Sequence, residues 1–375
     1  MKNNIAALLA SVALLAVAAC RPARPNLAPR PEALNFPLRE AGAQVIEGNV
    51  VGPVTARYGT AWFATEEGAV YAVEIRSMRT IWRFQPGAPI PAAPEPGDDL
   101  VWVRDGNNTI YGLDREGRPV FETTPADPVA TAVREREGLI FFGCGNGRIA
   151  ALDVRKNGQS VWEFNAGAAV VSGPAFSDGL VIFGTEDGRL LALDGGGRPR
   201  WTFTTKGVVR VDPVPADGWL YFGTSERYFC KVRAATGKQK WAFRLSGAPL
   251  HPAAVEGQRV LFPASDSVVY CLSTGNGEIL WWQSVPARIV HAPVVSDGVV
   301  LVSGLSREVA GYDLRGGFRV GGYTAAGDLQ SGAAWASPCL FVIETDPETA
   351  RQRLVFLVRD RRPVQTLGEK NPVRR

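Results

Sequence analysis

The stretch Ser177–Phe203, SDGLVIFGTEDGRLLALDGGGRPRWTF, decides the fold. Asp178-Gly179 is a dipeptide that adopts positive φ readily, and it precedes Leu180-Val181-Ile182-Phe183, a short apolar run suited to a strand buried on both faces. Thr185–Gly188 turns the chain, Arg189–Asp194 makes a second strand, and Gly195-Gly196-Gly197 reverses direction again. Arg200-Trp201-Thr202-Phe203 then alternates polar with aromatic residues, as a half-buried outer strand does.

The same pattern returns along the chain. The residue ending the apolar strand recurs at Ala64, Val103, Gly143, Gly184, Gly223, Pro263, Ser303 and Ile343, at intervals of 39, 40, 41, 39, 40, 40 and 40. An independent register comes from the outer-strand aromatics Trp82, Phe121, Trp162, Trp201, Trp241 and Trp281, spaced 39, 41, 39, 40 and 40. Two rulers that agree on about 40 residues with four short strands per unit predict an all-β, eight-bladed β-propeller of four-stranded antiparallel blades. Helical repeats of that length would show a 3.6-residue apolar period, which is absent. At 375 residues the chain exceeds the usual single domain, but a ring of sheets escapes that limit because each blade packs only on its neighbours. A hydrophobic content of 46%, with 41 Gly and 27 Pro, fits turn-dense β structure, and a formal charge of +4 leaves no nucleic-acid footprint.

The ends read differently from the repeats. Lys2 followed by the apolar run Ile5–Val17 is too short to span a bilayer core and reads as a signal peptide over residues 1–19. Val17-Ala18-Ala19-Cys20 resembles the bacterial lipoprotein signal, which implies lipidation of Cys20 with more than one acyl chain, enough for stable anchoring. Arg21 rather than Asp after the cysteine implies, by analogy, outer-membrane sorting. Residues 20–37, rich in proline, read as an extended tether; the propeller is expected over 38–367 and a basic tail over 368–375. Arg359–Arg362 and Arg374-Arg375 read as solvated surface. Blade seven lacks an outer tryptophan, for which Phe318 or Tyr323 is a candidate substitute. Blade eight lacks an outer strand, which either Phe36–Ile46 or Pro363–Leu367 can supply.

Ala192-Leu193-Asp194 through Trp201, Ala151-Leu152-Asp153 through Trp162 and Ala235-Thr236-Gly237-Lys238 through Trp241 resemble the tryptophan-docking repeat of quinoprotein (PQQ-dehydrogenase-like) propellers. That resemblance, over roughly residues 50–360, implies that the six outer aromatics lie between adjacent blades, with a small third-strand residue giving each room. It implies fold more than chemistry. The quinone enzymes of the family use inserted ligand loops and commonly a vicinal disulfide; this chain has no Cys-Cys pair and blades of about 40 residues. No cofactor is therefore expected. No Gly-x-Ser-x-Gly, His-Glu-x-x-His, Cys-x-x-Cys or Gly-x-x-x-x-Gly-Lys pattern is present either.

His251 and His291, the only histidines, each lie ten residues beyond an outer tryptophan, where the innermost strands of blades six and seven begin. They mark a candidate channel pocket for a small ligand or metal, with Arg210 and Asp212 at nearby places in blade five. The alternative is the polar lining that wets any propeller channel, and two residues set no metal geometry. Cys144, Cys230, Cys271 and Cys339 fall in different blades and read as buried free thiols.

Lipobox, tether, size and blade count together resemble the BamB family, scaffold lipoproteins of the machinery that assembles β-barrels in the outer membrane. The resemblance implies a non-catalytic, periplasm-facing, lipid-anchored scaffold whose partner is the barrel-assembly core protein or another periplasmic or outer-membrane protein. The family's partner-binding loop maps onto Val208, Val209, Arg210 and Asp212. Here it is shorter than usual, with valines for leucines and no acid in the next loop, Ser246–His251. Two other readings remain: a quinone- or metal-dependent oxidoreductase acting around the histidines, and a surface propeller that binds polysaccharide through aromatics on one rim.

Overall fold

The computed structural model describes residues 36–359 apart from 290, 332, 337 and 338. Cys20, the residue expected to be lipidated, the expected signal segment 1–19, the alternative closing strand Pro363–Leu367 and the expected basic tail 368–375 lie outside the described residues. Among the described residues no helix is long and apolar enough to cross a membrane.

Blade three shows the unit. Arg134–Arg136, Leu139–Gly143, Arg148–Asp153 and Gln159–Asn165 pair in that order as an antiparallel sheet from channel to periphery. Blades one, two, four, five, six and seven repeat this order, and blade eight is built from Ala334–Ala336, Cys339–Thr345, Gln352–Arg359 and Phe36–Val45. The N-terminal segment thus closes the ring as the outer strand of blade eight, the first of the two arrangements open from sequence. Its first residues also pair in parallel with blade seven, Phe36 beside Gly321 and Pro37 beside Gly322. Blades seven and eight consequently form one eight-stranded sheet.

Second strands such as Leu180–Thr185 are buried at every position, because a neighbouring blade covers each face. The core is divided accordingly into eight apolar clusters, each bridging two consecutive blades. Ile182 with Phe222 bridges blades four and five, Phe141 with Phe183 blades three and four, and Phe63 with Phe341 blades one and eight. A cluster across the eight–one seam means that no blade interface is left open to solvent, which removes the edge hazard of an open sheet.

Each outer strand carries a bulge immediately before the docking position. Trp162 pairs with Ala151 and Ser160 with Leu152, leaving Val161 unpaired; Ile81, Val120 and Leu280 stand likewise before Trp82, Phe121 and Trp281. The extra residue increases the local twist and re-aims the next side chain. The indole then reaches the following blade. Trp82, Trp162, Trp201, Trp241 and Trp281 donate their ring N–H to the carbonyls of Arg115, Gly195, Ala234, Thr274 and Leu314 at 2.8–3.1 Å, each 33 residues on. Each ring lies against a glycine in that blade's last turn. At Gly197, whose φ is +76°, a Cβ would stand 2.5 Å from Cδ2 of Trp162, so both conformation and space require glycine there.

Register corrects the assignment in blade seven. The residue paired like the docking tryptophans, opposite Gly311, is Gly321, so neither Phe318 nor Tyr323 substitutes. The reason is topological. A docking aromatic rests on the turn joining the third and fourth strands of the next blade. In blade eight those strands, Gln352–Arg359 and Phe36–Val45, are far apart in sequence and share no such turn. The strand Phe36–Val45 itself comes alongside Gly321 instead. At the eight–one seam the sizes are inverted: Gly42 holds the docking register and Met78, in blade one's turn, places its Sδ 2.9 Å from where a Gly42 Cβ would be. Gln44 there donates to the Met78 carbonyl, the bond an indole N–H makes elsewhere.

Candidate functional site

Antiparallel order along a blade sends alternate turns to opposite ends of the ring. Turns between second and third strands share one rim with the connections between blades; turns joining first to second and third to fourth strands share the other. Val208 and Arg210 belong to the connection between blades four and five, on the first rim. A depression of about 340 Å³ opens there, lined by Val208, Arg210, Val211, Ala248, Pro249 and Leu250 together with Gly223–Ser225. Pro249 forms its wall by lying against Gly223, where a Cβ would meet the Pro249 ring at 2.3 Å. Leu250 is 38% exposed and lines the same depression as Arg210. Arg210 is held by an ion pair with Glu186 in the blade-four turn on the same rim.

The remaining loop residues face elsewhere. Val209 is fully buried in the cluster joining blades four and five, and its carbonyl accepts the Ser172 hydroxyl at 2.6 Å. Asp212 turns inward, pairing with Arg134 at 2.8 Å and accepting the Gly173 N–H at 2.7 Å. Arg134 also meets Glu95 at 3.4 Å and donates to the Pro174 carbonyl at 2.8 Å. One guanidinium therefore ties together the channel ends of blades two, three, four and five. Burial raises the Glu95 carboxyl above its ordinary value, against the pull of Arg134, and the two carboxylates hold the Arg134 guanidinium above its own despite burial. The sequence placed Asp212 with Arg210 on one surface; the structure separates them because the connection turns into the channel after Val211. Arg134 and Glu95 were missed; charged residues in the short innermost strands, Arg134–Arg136 and Glu95–Pro96, are the signal that could have found them.

His251 and His291 do meet. Their ring centroids are 5.9 Å apart at an interplanar angle of 30°. Burial lowers the pKa of both, that of His291 to about 4, with the neighbouring His251 adding to the depression. Both are neutral near pH 7 and each can donate or accept a hydrogen bond. No group of three or more His, Cys, Asp or Glu converges there or elsewhere among the described residues. Cys144, Cys230, Cys271 and Cys339 are buried and form no disulfide among the described residues, with burial pushing the Cys230 and Cys271 thiols up to about 12. They behave as apolar packing groups rather than nucleophiles.

A family model described as outer membrane protein assembly factor BamB matches three overlapping stretches, residues 43–156, 145–251 and 242–335. Together they span most of the ring. The chain belongs to the BamB family of PQQ-like propellers. Among solved structures, BamB from Moraxella catarrhalis aligns with a TM-score of 0.71 at 17% identity, covering 86% of this chain and 99% of that one. The computationally designed Ika8 protein reaches 0.71 at 13% identity over 83% of this chain and 98% of its own. Quinohemoprotein alcohol dehydrogenase from Comamonas testosteroni reaches 0.69 at 11% identity over 89% and 79%. At these identities the likenesses concern the fold alone, and the span from a designed protein to an alcohol dehydrogenase shows how little chemistry the ring dictates. Tetrathionate hydrolase of Acidithiobacillus ferrooxidans is 25% identical over 121 residues, 30% of this chain and about a quarter (24%) of that relative's length.

Proposed function

We propose that this protein is a lipid-anchored, non-catalytic scaffold in outer-membrane β-barrel assembly, held through Cys20 and binding its partner with the rim between blades four, five and six. The observation that carries the reading is the apolar depression beside Arg210, in a chain whose family model spans residues 43–335. Val208, Val211, Pro249 and Leu250 offer apolar contact, and Arg210 adds a charge at the border, the composition of a small binding hot spot. The barrel-assembly core protein is the partner expected. Val209 and Asp212 contribute by fixing the loop, one through the core and one through Arg134.

Crosslinking in intact cells followed by identification of captured proteins tests this. Arg210→Glu and Leu250→Asp should each reduce capture of the core protein at unchanged thermal stability. Full capture by both variants would remove this rim from the proposal.

A further inference from the structure

The opposite rim carries a cleft between blades one and two, about 240 Å³ in volume, at the edge of the Trp82 docking contact. Its walls combine aromatic faces with ion-paired polar groups. Tyr58, Trp62 and Trp82 come from blade one, and Asp98, Asp99 and Arg115 from turns of blade two. Tyr58 is 75% exposed yet held in place, with the Arg57 guanidinium 4.6 Å from its ring centroid and donating to its hydroxyl at 2.8 Å. Arg57 in turn meets Asp98 at 3.1 Å and Arg115 meets Asp99 at 3.9 Å, while Asp114 is engaged by Arg118 at 2.7 Å. An aromatic face fixed in the open, instead of folded onto the protein, is a surface prepared for contact.

Trp62 supplies a second, independent observation. It is 8% exposed and lines the cleft, and among the described residues its buried indole N–H has no partner. Its counterpart in blade two, Trp102, donates to Glu135 at 2.9 Å, 33 residues on. The acid 33 residues after Trp62 is Glu95, which faces Arg134 instead. An unpaired buried donor is costly, and an oxygen brought by a ligand against Trp62 relieves it.

We propose that this cleft binds an uncharged hexopyranose unit of a glycan. The C–H bonds of a pyranose carry partial positive charge and pack on the negative face of an aromatic ring, here Tyr58. Its adjacent hydroxyls match the carboxylates of Asp98 and Asp99, which accept, and the guanidiniums of Arg57 and Arg115, which donate. The volume lies below the roughly 300–1,000 Å³ of sites for drug-sized ligands, so one or two sugar rings fill it. Four carboxylates in the ion-pair network at the cleft, those of Asp98, Asp99, Asp114 and Glu116, against three guanidiniums, those of Arg57, Arg115 and Arg118, disfavour an anionic sugar. The site is independent of the partner rim, which lies at the other end of the ring.

Ligand-observed saturation-transfer NMR on the purified protein tests the proposal, with cellobiose as probe, glucuronate as the charged control and a tetra-arginine peptide as the competing class. Cellobiose should bind with a Kd on the order of 1 mM. Tyr58→Ala, at an exposed position, should weaken it about fivefold or more, and Asp99→Asn should weaken it as well, with both variants keeping the wild-type melting temperature. Binding of glucuronate as strong as that of cellobiose, cellobiose binding unaffected by Tyr58→Ala, or saturation by the peptide but not the sugar would each overturn it. Partner capture should be unchanged in Tyr58→Ala, so failure here leaves the scaffold reading standing.

Discussion

Gly197→Ala is the sharpest perturbation of the docking device. Two costs can be separated. The backbone at Gly197 has φ +76°, which costs an L-residue roughly 1–2 kcal/mol. The added methyl would also stand 2.5 Å from Cδ2 and 2.7 Å from Cγ of Trp162, well inside the ~3.5–4.0 Å of carbon contact, so the indole must move off the turn. That movement breaks the 2.9 Å bond from the Trp162 N–H to the Gly195 carbonyl, about 1 kcal/mol, and forfeits part of the ~3–5 kcal/mol at stake in a large-to-small core change. The substitution should therefore destabilise by about 3–5 kcal/mol in urea unfolding. In a Trp162→Ala background only the backbone term survives, so the same change should cost about 1–2 kcal/mol, a coupling of about 2–3 kcal/mol. Gly179→Ala supplies the control: φ is +72° and nothing lies within 4 Å of its Cβ, so about 1–2 kcal/mol is expected. Equal costs for Gly197→Ala with and without Trp162 would refute the argument that the indole and the turn form one unit.

Other consequences can be measured on the same protein. Arg134→Met leaves the Glu95 and Asp212 carboxylates unpaired beside the channel and should destabilise by about 3 kcal/mol or more, read as a fall in the urea midpoint. His291, with its pKa lowered to about 4, holds fewer protons folded than unfolded below pH 6.5. Its contribution is intact above that pH and lost progressively from pH 6.5 to 4, so His291→Asn should flatten that part of the stability profile by on the order of 2–3 kcal/mol. Lys231 is 6% exposed, donates to the Thr274 carbonyl at 2.6 Å, and burial lowers its pKa. The folded state then binds fewer protons than the unfolded, so stability should rise with pH toward 10.5 in the wild type, and that rise should vanish in Lys231→Met.

The ring was legible because each blade repeats a local instruction. Paired glycines and acids set the turns, four apolar residues make the covered strand, and the tryptophan at a 40-residue interval makes the seam. What the repeat could not show is what happens where it must end. Extending the tryptophan series by one period reaches Gly321, and stepping back from Trp82 reaches Gly42; both glycines carry the docking register, yet only strand pairing shows why neither is aromatic. Counting residues places Val208 to Asp212 on one loop, but not which side chains leave the rim. Val209 meets the core and Asp212 meets Arg134 because the chain enters the channel there, a tertiary fact with no local signature. The histidine pair was found from equal spacing alone, since equal places in adjacent blades lie side by side in a ring.

Photocrosslinking from position 250 in living cells tests the scaffold assignment most directly, with a photoreactive residue at position 58 on the far rim as its comparison. Capture of the barrel-assembly core protein from position 250 and not from position 58 is the expected result. Capture from position 58 alone, or from neither position, would contradict it.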